Sequence, residues 1–136
     1  DCGCGLARDG WGLHIRDVRS FEKLTAGGIT LLDVDVIRVL EEAMPARFGG
    51  RPADWQLVER LHDERARPEV VLVVDPSVGE LDEDAVADAF LDAVGGGSGG
   101  ERLMEMQWRE ARMLRVVREP SRRTASGKVL HLHLEK

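Results

Sequence analysis

Apolar positions change spacing along the chain, and the changes mark out its elements. Residues 1–14, DCGCGLARDGWGLH, show no period and are rich in glycine, so they read as loop. Residues 16–31 read as a short hairpin. Its first arm runs through Phe21-Glu22-Lys23-Leu24, its turn is Ala26-Gly27-Gly28, and it returns through Ile29-Thr30-Leu31. Two glycines supply positive φ without steric cost. Asp33 then stands as an N-cap, and Val36, Ile37, Leu40 and Met44 recur at helical spacing. Pro45 is expected to end that helix or to follow its end closely, because it lacks the N–H that continues the ladder.

Trp55, Leu57 and Leu61 alternate and predict a strand over residues 55–61. Residues 62–68 are charged and polar, a hairpin loop. Residues 69–74 hold VVLVV, a β-branched run typical of a buried strand, closed by Asp75-Pro76. Asp82 caps a second helix whose inner stripe is Val86, Ala89, Phe90 and Ala93. GGGSGG at 95–100 ends it. A glycine cap followed by a loop fits, and an engineered linker has the same composition. Residues 101–110 predict a short third helix with Leu103, Met106 and Gln107 inward, and residues 113–117 a third strand. The fold class is α+β: a three-stranded sheet with two or three helices packed on it, a glycine hairpin before it and a lysine-bearing tail after it. Such a layer offers no deep pocket of its own, so its working surface is expected at an edge or loop.

The 136 residues suffice for one domain with a real core. No apolar run approaches the roughly 20 residues needed to cross a bilayer, and no secretory pattern opens the chain. It starts at Asp1, which predicts a piece cut from a longer protein. The net charge of −6 argues against nonspecific nucleic-acid binding, which needs a basic footprint. The charge is uneven, however. Residues 75–92 are acidic, whereas residues 102–128 carry seven arginines and Lys128. A local basic patch suits an anionic small molecule. Cys2 and Cys4 are too close in sequence for an unstrained disulfide, and the expected compartment is the cytoplasm.

The chemistry-bearing stretch is Thr124-Ala125-Ser126-Gly127-Lys128, followed by the alternating tail Val129-Leu130-His131-Leu132-His133-Leu134. An alternating tail can pair into a sheet. A lysine on a glycine turn just before such an anchor is held in place and still reaches outward. Taken alone, the same residues also describe an ordinary surface turn. His131 and His133 share one face of the tail, and histidine on a strand is more often a surface or packing residue than a ligand. Trp55 and Trp108 read as core.

The two ends together resemble the C-terminal domain of adenylate-forming enzymes, the superfamily of acyl-CoA synthetases, adenylation domains and luciferases. Residues 19–31, RSFEKLTAGGITL, resemble the hinge and its following hairpin. Trp108-Arg109-Glu110-Ala111-Arg112, a strand, and then Thr124-Ala125-Ser126-Gly127-Lys128 resemble the closing motif, an aromatic-basic pair, a strand and a T-x-S-G-K turn. The likeness covers nearly the whole chain in order and spacing. Cys2-Gly3-Cys4-Gly5 further resembles a segment of phenylacetate-CoA ligase-like proteins, a group with coenzyme F390 synthetase-like and phenazine-biosynthesis-associated members. The usual acidic hinge position falls at Phe21, with Glu22 next to it, and the proline that often precedes the closing threonine is displaced to Pro120.

The resemblance implies a lid, residues 19–136, preceded by a junction, residues 1–18, to a large N-terminal domain that holds ATP, magnesium and the carboxylic acid. It implies that Lys128 bridges the carboxylate and the α-phosphate region, supported by Thr124, Ser126 and Gly127. It implies pivoting about Arg19, Phe21 and Glu22, after which Gly27 and Gly28 line the channel for the thiol, coenzyme A or a carrier-protein pantetheine. It further implies a zinc half-site at Cys2 and Cys4. The isolated chain would then be inactive. The competing expectation is a stand-alone α+β binding or interaction module, an element order shared by many regulatory domains.

Overall fold

A computed structural model of the chain describes residues 5–10, 24–26, 29–31, 33–61, 68–97 and 99–135. It is α+β. A short helix α1 (Gly5–Arg8) precedes strands β1 (Leu24–Ala26) and β2 (Ile29–Leu31). These two pair antiparallel with Ala26 opposite Ile29, the register of the expected hairpin. Its turn glycines and residues 21–23 lie outside the described residues.

Pro45 does not end the first long helix. The chain runs through α2 (Asp33–Arg38), a π-helical turn (Val39–Ala43) and α3 (Met44–Phe48). Met44 donates its N–H to the Val39 carbonyl, five residues back. Widening the turn before the proline lets the helix proceed where an ordinary ladder would lose a bond and clash. The stop comes at Gly49, with φ of 87°, whose N–H bonds the Pro45 carbonyl. Val36, Val39, Leu40 and Met44 bury toward the sheet.

The sheet has four strands, not three, in the order β5-β4-β3-β6. Strands β3 (Trp55–Leu61) and β4 (Pro68–Val74) pair antiparallel, Trp55 opposite Val74. Strand β5 (Leu114–Arg118) lies parallel to β4. The added strand is the tail: β6 (Leu132–Glu135) lies parallel to β3, Leu132 opposite Leu57. Its alternation permits pairing, but only the free edge of β3 decides that it joins this sheet.

Trp55, Leu57, Val70, Leu72, Val74, Val116 and Leu132 face the helices in the main core. Val58, Val71 and Val73 form a second buried cluster, flanked by Val117. Strand β4 is therefore buried on both faces, which explains an uninterrupted VVLVV where a half-exposed strand would alternate.

Helices α4 (Glu83–Gly95) and α5 (Gly99–Ala111) form the connection from β4 to β5. Asp82 caps α4 as expected, its Oδ1 accepting from the N–H groups of Asp84 at 3.0 Å and Ala85 at 3.1 Å. Asp82→Ala should cost about 1 kcal/mol, read as a lower urea midpoint. Val86, Ala89 and Phe90 are buried, joined by Leu91 and Val94, while Ala93 is half-buried at the edge. Between the helices, Gly95 belongs to α4 and Gly99 opens α5, so the glycine tract is mostly absorbed into helix ends. A Cβ on Gly95 would stand 2.8 Å from Glu105 Cγ, so the helices approach there more closely than a side chain allows.

The inward face of α5 differs from expectation. Met104 and Trp108 are buried, whereas Leu103 is 55% and Met106 59% exposed and Gln107 is exposed. Met104 and Trp108 are one turn apart and together bury the larger apolar surface, while Arg109 beside them pairs with Asp88 and Asp92 of α4 and with Glu105.

Candidate functional site

Strands β5 and β6 occupy opposite edges of the sheet, so the chain between them must cross the ends of β4 and β3. That crossing carries the lysine turn. It is anchored as it passes: Ser121 Oγ donates to the Ala53 carbonyl at 2.8 Å, and Leu57 N–H bonds the His131 carbonyl at 2.8 Å.

Gln56 of β3 is fully buried at 0% exposure. Its Nε2 donates to the carbonyls of Arg122 at 3.1 Å and Leu130 at 2.6 Å, and its Oε1 accepts from Arg122 N–H at 2.8 Å. One carboxamide thus holds both ends of the loop. Further out, an isolated antiparallel bridge pairs Arg123 with Val129, and Thr124 N–H bonds the Lys128 carbonyl at 2.8 Å. At the tip, Gly127 N–H returns to the Thr124 carbonyl at 2.8 Å. The Thr124 hydroxyl accepts from Lys128 N–H at 3.1 Å and meets Ser126 Oγ at 3.0 Å. Gly127 has φ of 81°, a left-handed conformation that L side chains rarely adopt. The T-x-S-G-K residues therefore each have a local task, and Lys128 projects from the result. Its side chain is exposed, and its ammonium has no ion-pair partner among the described residues.

Beside the loop base sits a square of charges. Arg60 bonds Glu119 at 3.0 Å and Glu135 at 2.8 Å; Arg122 bonds the same two at 2.7 and 3.1 Å. The hydrogen bond from Arg122 holds the Glu119 carboxyl below the usual carboxylate range. Burial pushes Glu135 up, but Arg122 and Arg60 together outweigh it and leave it lowered. The basic stretch seen in the sequence is thus largely spent inside the fold. Arg109 and Arg122 are ion-paired, Arg115 bonds Glu69, and Arg118 donates to the carbonyls of Asp75, Pro76 and Gly79. At the loop itself, Arg123 is exposed and its guanidinium bonds the Gly127 carbonyl and no carboxylate among the described residues, so it and Lys128 leave the tip positive.

Among the described residues, neither histidine of the tail belongs to a ligand cluster. His131 Nδ1 lies 3.2 Å from the Trp55 carbonyl and Nε2 3.3 Å from Glu41, which fastens the tail to the π-helical turn. No group of three or more His, Cys, Asp or Glu among the described residues could hold a metal ion. Cys2, Cys4, Arg19, Phe21, Glu22, Gly27 and Gly28 lie outside the described residues. Of the expected site residues, the fold brings together Thr124, Ser126, Gly127 and Lys128. No helix among the described residues is long and apolar enough to cross a membrane.

Gln56, Arg60 and Arg122 were invisible as site residues in the sequence. A glutamine at the position alternating with Trp55 and Leu57 reads as solvent-facing. The available hint is Val58 on the same face, which marks that face as not wholly polar.

Glu59 is the outlier of β3. It is nearly buried on the helix-facing side, and burial raises its pKa. A carboxyl raised in the folded state binds protons more readily folded than unfolded, so its contribution to stability falls as pH rises from the unfolded to the folded pKa. Glu59→Gln should therefore stabilise the domain at neutral pH, with the gain disappearing below about pH 4. Urea unfolding at both pH values checks this. Asp54 behaves oppositely: its bond from Arg51 lowers its pKa despite burial, so its contribution is lost as pH falls through that lowered value.

Fold and site together define an α+β domain that offers one clamped, lysine-tipped loop. Comparisons with family models, curated proteins and solved structures return no match.

Proposed function

We propose that this chain is the C-terminal lid of an ATP-dependent carboxylate–thiol ligase of the adenylate-forming superfamily, phenylacetate-CoA ligase-like and cytoplasmic, acting on an aryl or other organic acid. The observation that carries the reading is the state of Lys128: an exposed ammonium with no ion pair among the described residues, on a turn closed by hydrogen bonds of Thr124, Gly127 and Lys128. The T-x-S-G-K residues that carry the resemblance are the residues that build this turn.

Adenylation brings a carboxylate onto the α-phosphate of ATP, and charge builds on the phosphate oxygens. A compact cation with three donors suits that charge, provided it arrives with the substrate already seated elsewhere. Positioning and charge stabilisation do most of the work in phosphoryl chemistry. The carboxylate of Glu119, beside the loop base, is committed to Arg60 and Arg122. In this reading the large N-terminal domain holds ATP, magnesium and the acid. The pivot at Arg19, Phe21 and Glu22, the thiol-channel glycines Gly27 and Gly28, and a zinc half-site at Cys2 and Cys4 belong to the same proposal. The chain alone should be inactive.

The test is carboxylate-dependent pyrophosphate exchange by the enzyme that contains this domain, with and without the Lys128 ammonium. An unchanged exchange rate overturns the reading.

A further inference from the structure

We propose that Gln56 is the positioning residue for Lys128, a role that rests on the function proposed for that lysine. The loop from Arg122 to Leu130 leaves and rejoins the sheet at one side chain. Gln56 satisfies Arg122 N–H, the Arg122 carbonyl and the Leu130 carbonyl at once, at 2.8, 3.1 and 2.6 Å. It is fully buried, so no water replaces these bonds when they are lost. Arg122 is held a second time through its side chain by Glu119 and Glu135. The loop base is therefore part of the sheet, and Lys128 moves with the domain as a rigid tip.

The residue type is specific to this task. The clamp needs two donors and one acceptor in a plane, which a carboxamide supplies and a carboxylate or aliphatic group does not. Gln56→Leu keeps similar bulk but strands all three backbone groups. Gln56→Glu keeps the acceptor for Arg122 N–H but turns an acceptor-only carboxylate toward two carbonyls. Protonation returns one donor.

Hydrogen exchange of the whole chain reads the clamp without any activity. The amides of Thr124, Gly127 and Lys128, all bonded within the loop, should exchange about ten- to hundredfold faster in Gln56→Leu than in wild type. The β3–β4 ladder amides should change less. In Gln56→Glu the loop amides should exchange faster than in wild type at about pH 7 and by less at about pH 4, where the carboxyl, its pKa raised by burial, is fully protonated and returns one of the two donors. Wild type is measured at the same pH values. This divides out Arg60, Arg122, Glu119, Glu135, His131 and His133, the charged and titratable groups on neighbouring positions. Loop exchange unchanged in Gln56→Glu at both pH values overturns the clamp, also where Gln56→Leu does not fold.

The link to Lys128 is read in the ligase. Gln56→Glu should slow pyrophosphate exchange at neutral pH in the wild-type background and add nothing to Lys128→Ala, since a positioning residue acts through the group it positions. Additive losses overturn the link. If Lys128→Ala alone leaves the rate unchanged, the proposed function fails while the exchange result still decides the clamp.

Discussion

Trp55→Ala is expected to cost about 3–5 kcal/mol, a large fraction of the roughly 5–15 kcal/mol that holds a domain together. The indole is fully buried between β3 and α3, its ring 6.1 Å from that of Phe48 and tilted by 39°. Its Nε1 donates to the Gly49 carbonyl at 3.2 Å, at the point where α3 stops. Truncation leaves a cavity under the helix and an unpaired carbonyl at its end. Urea unfolding should show a lower midpoint at unchanged slope. The two tryptophans also differ in a testable way. Trp108 Nε1 is buried without a hydrogen-bond partner among the described residues, so Trp108→Phe removes a group that costs energy where it is. Trp55→Phe removes one that is paired. Trp55→Phe should be the more destabilising of the two, and the reverse order would contradict this account of the core.

On the proposed function, Lys128→Ala should lower carboxylate-dependent pyrophosphate exchange by the parent protein by about 10²–10³-fold, the usual loss for one donor aimed at developing charge. Stability should move by no more than about 0.5 kcal/mol, because the side chain is exposed and makes no ion pair among the described residues. Rate and stability thus separate, which a structural role for the lysine would not allow. Lys128→Arg retains the charge on a larger planar group and should recover only part of the rate. Full recovery would mean that charge alone suffices. The neighbouring cation Arg123 bonds the Gly127 carbonyl and does not replace the ammonium at the tip.

Much of the local structure was legible in residue order. Period-two alternation from Trp55 and the β-branched run ending at Val74 located β3 and β4 to within a residue. The Asp82 cap lay where its side chain and the apolar stripe behind it required. Errors arose where a partner, rather than a period, decides. Leu103 and Met106 are as apolar as Met104, yet only Met104 lies one turn from Trp108, whose large indole takes the inward face of α5, and Arg109 then reaches Asp88 and Asp92. Pro45 signals a stop in any helix; a π-helical turn, backed by the burial of Leu40 and Met44, carries the chain through it.

The T-x-S-G-K turn shows the same division. Sequence by itself determined that it would turn at Gly127, since a left-handed φ there is a local property of glycine. It likewise determined that the tail after Lys128 could pair, because alternation is written in the residues. Only the tertiary structure decided where the lysine stands. The tail adds a fourth strand at the β3 edge, which forces the loop to cross the strand ends and brings it onto Gln56, more than sixty residues away in the chain. Hydrogen bonds between such distant residues leave no periodicity in a single sequence; they follow from strand order alone.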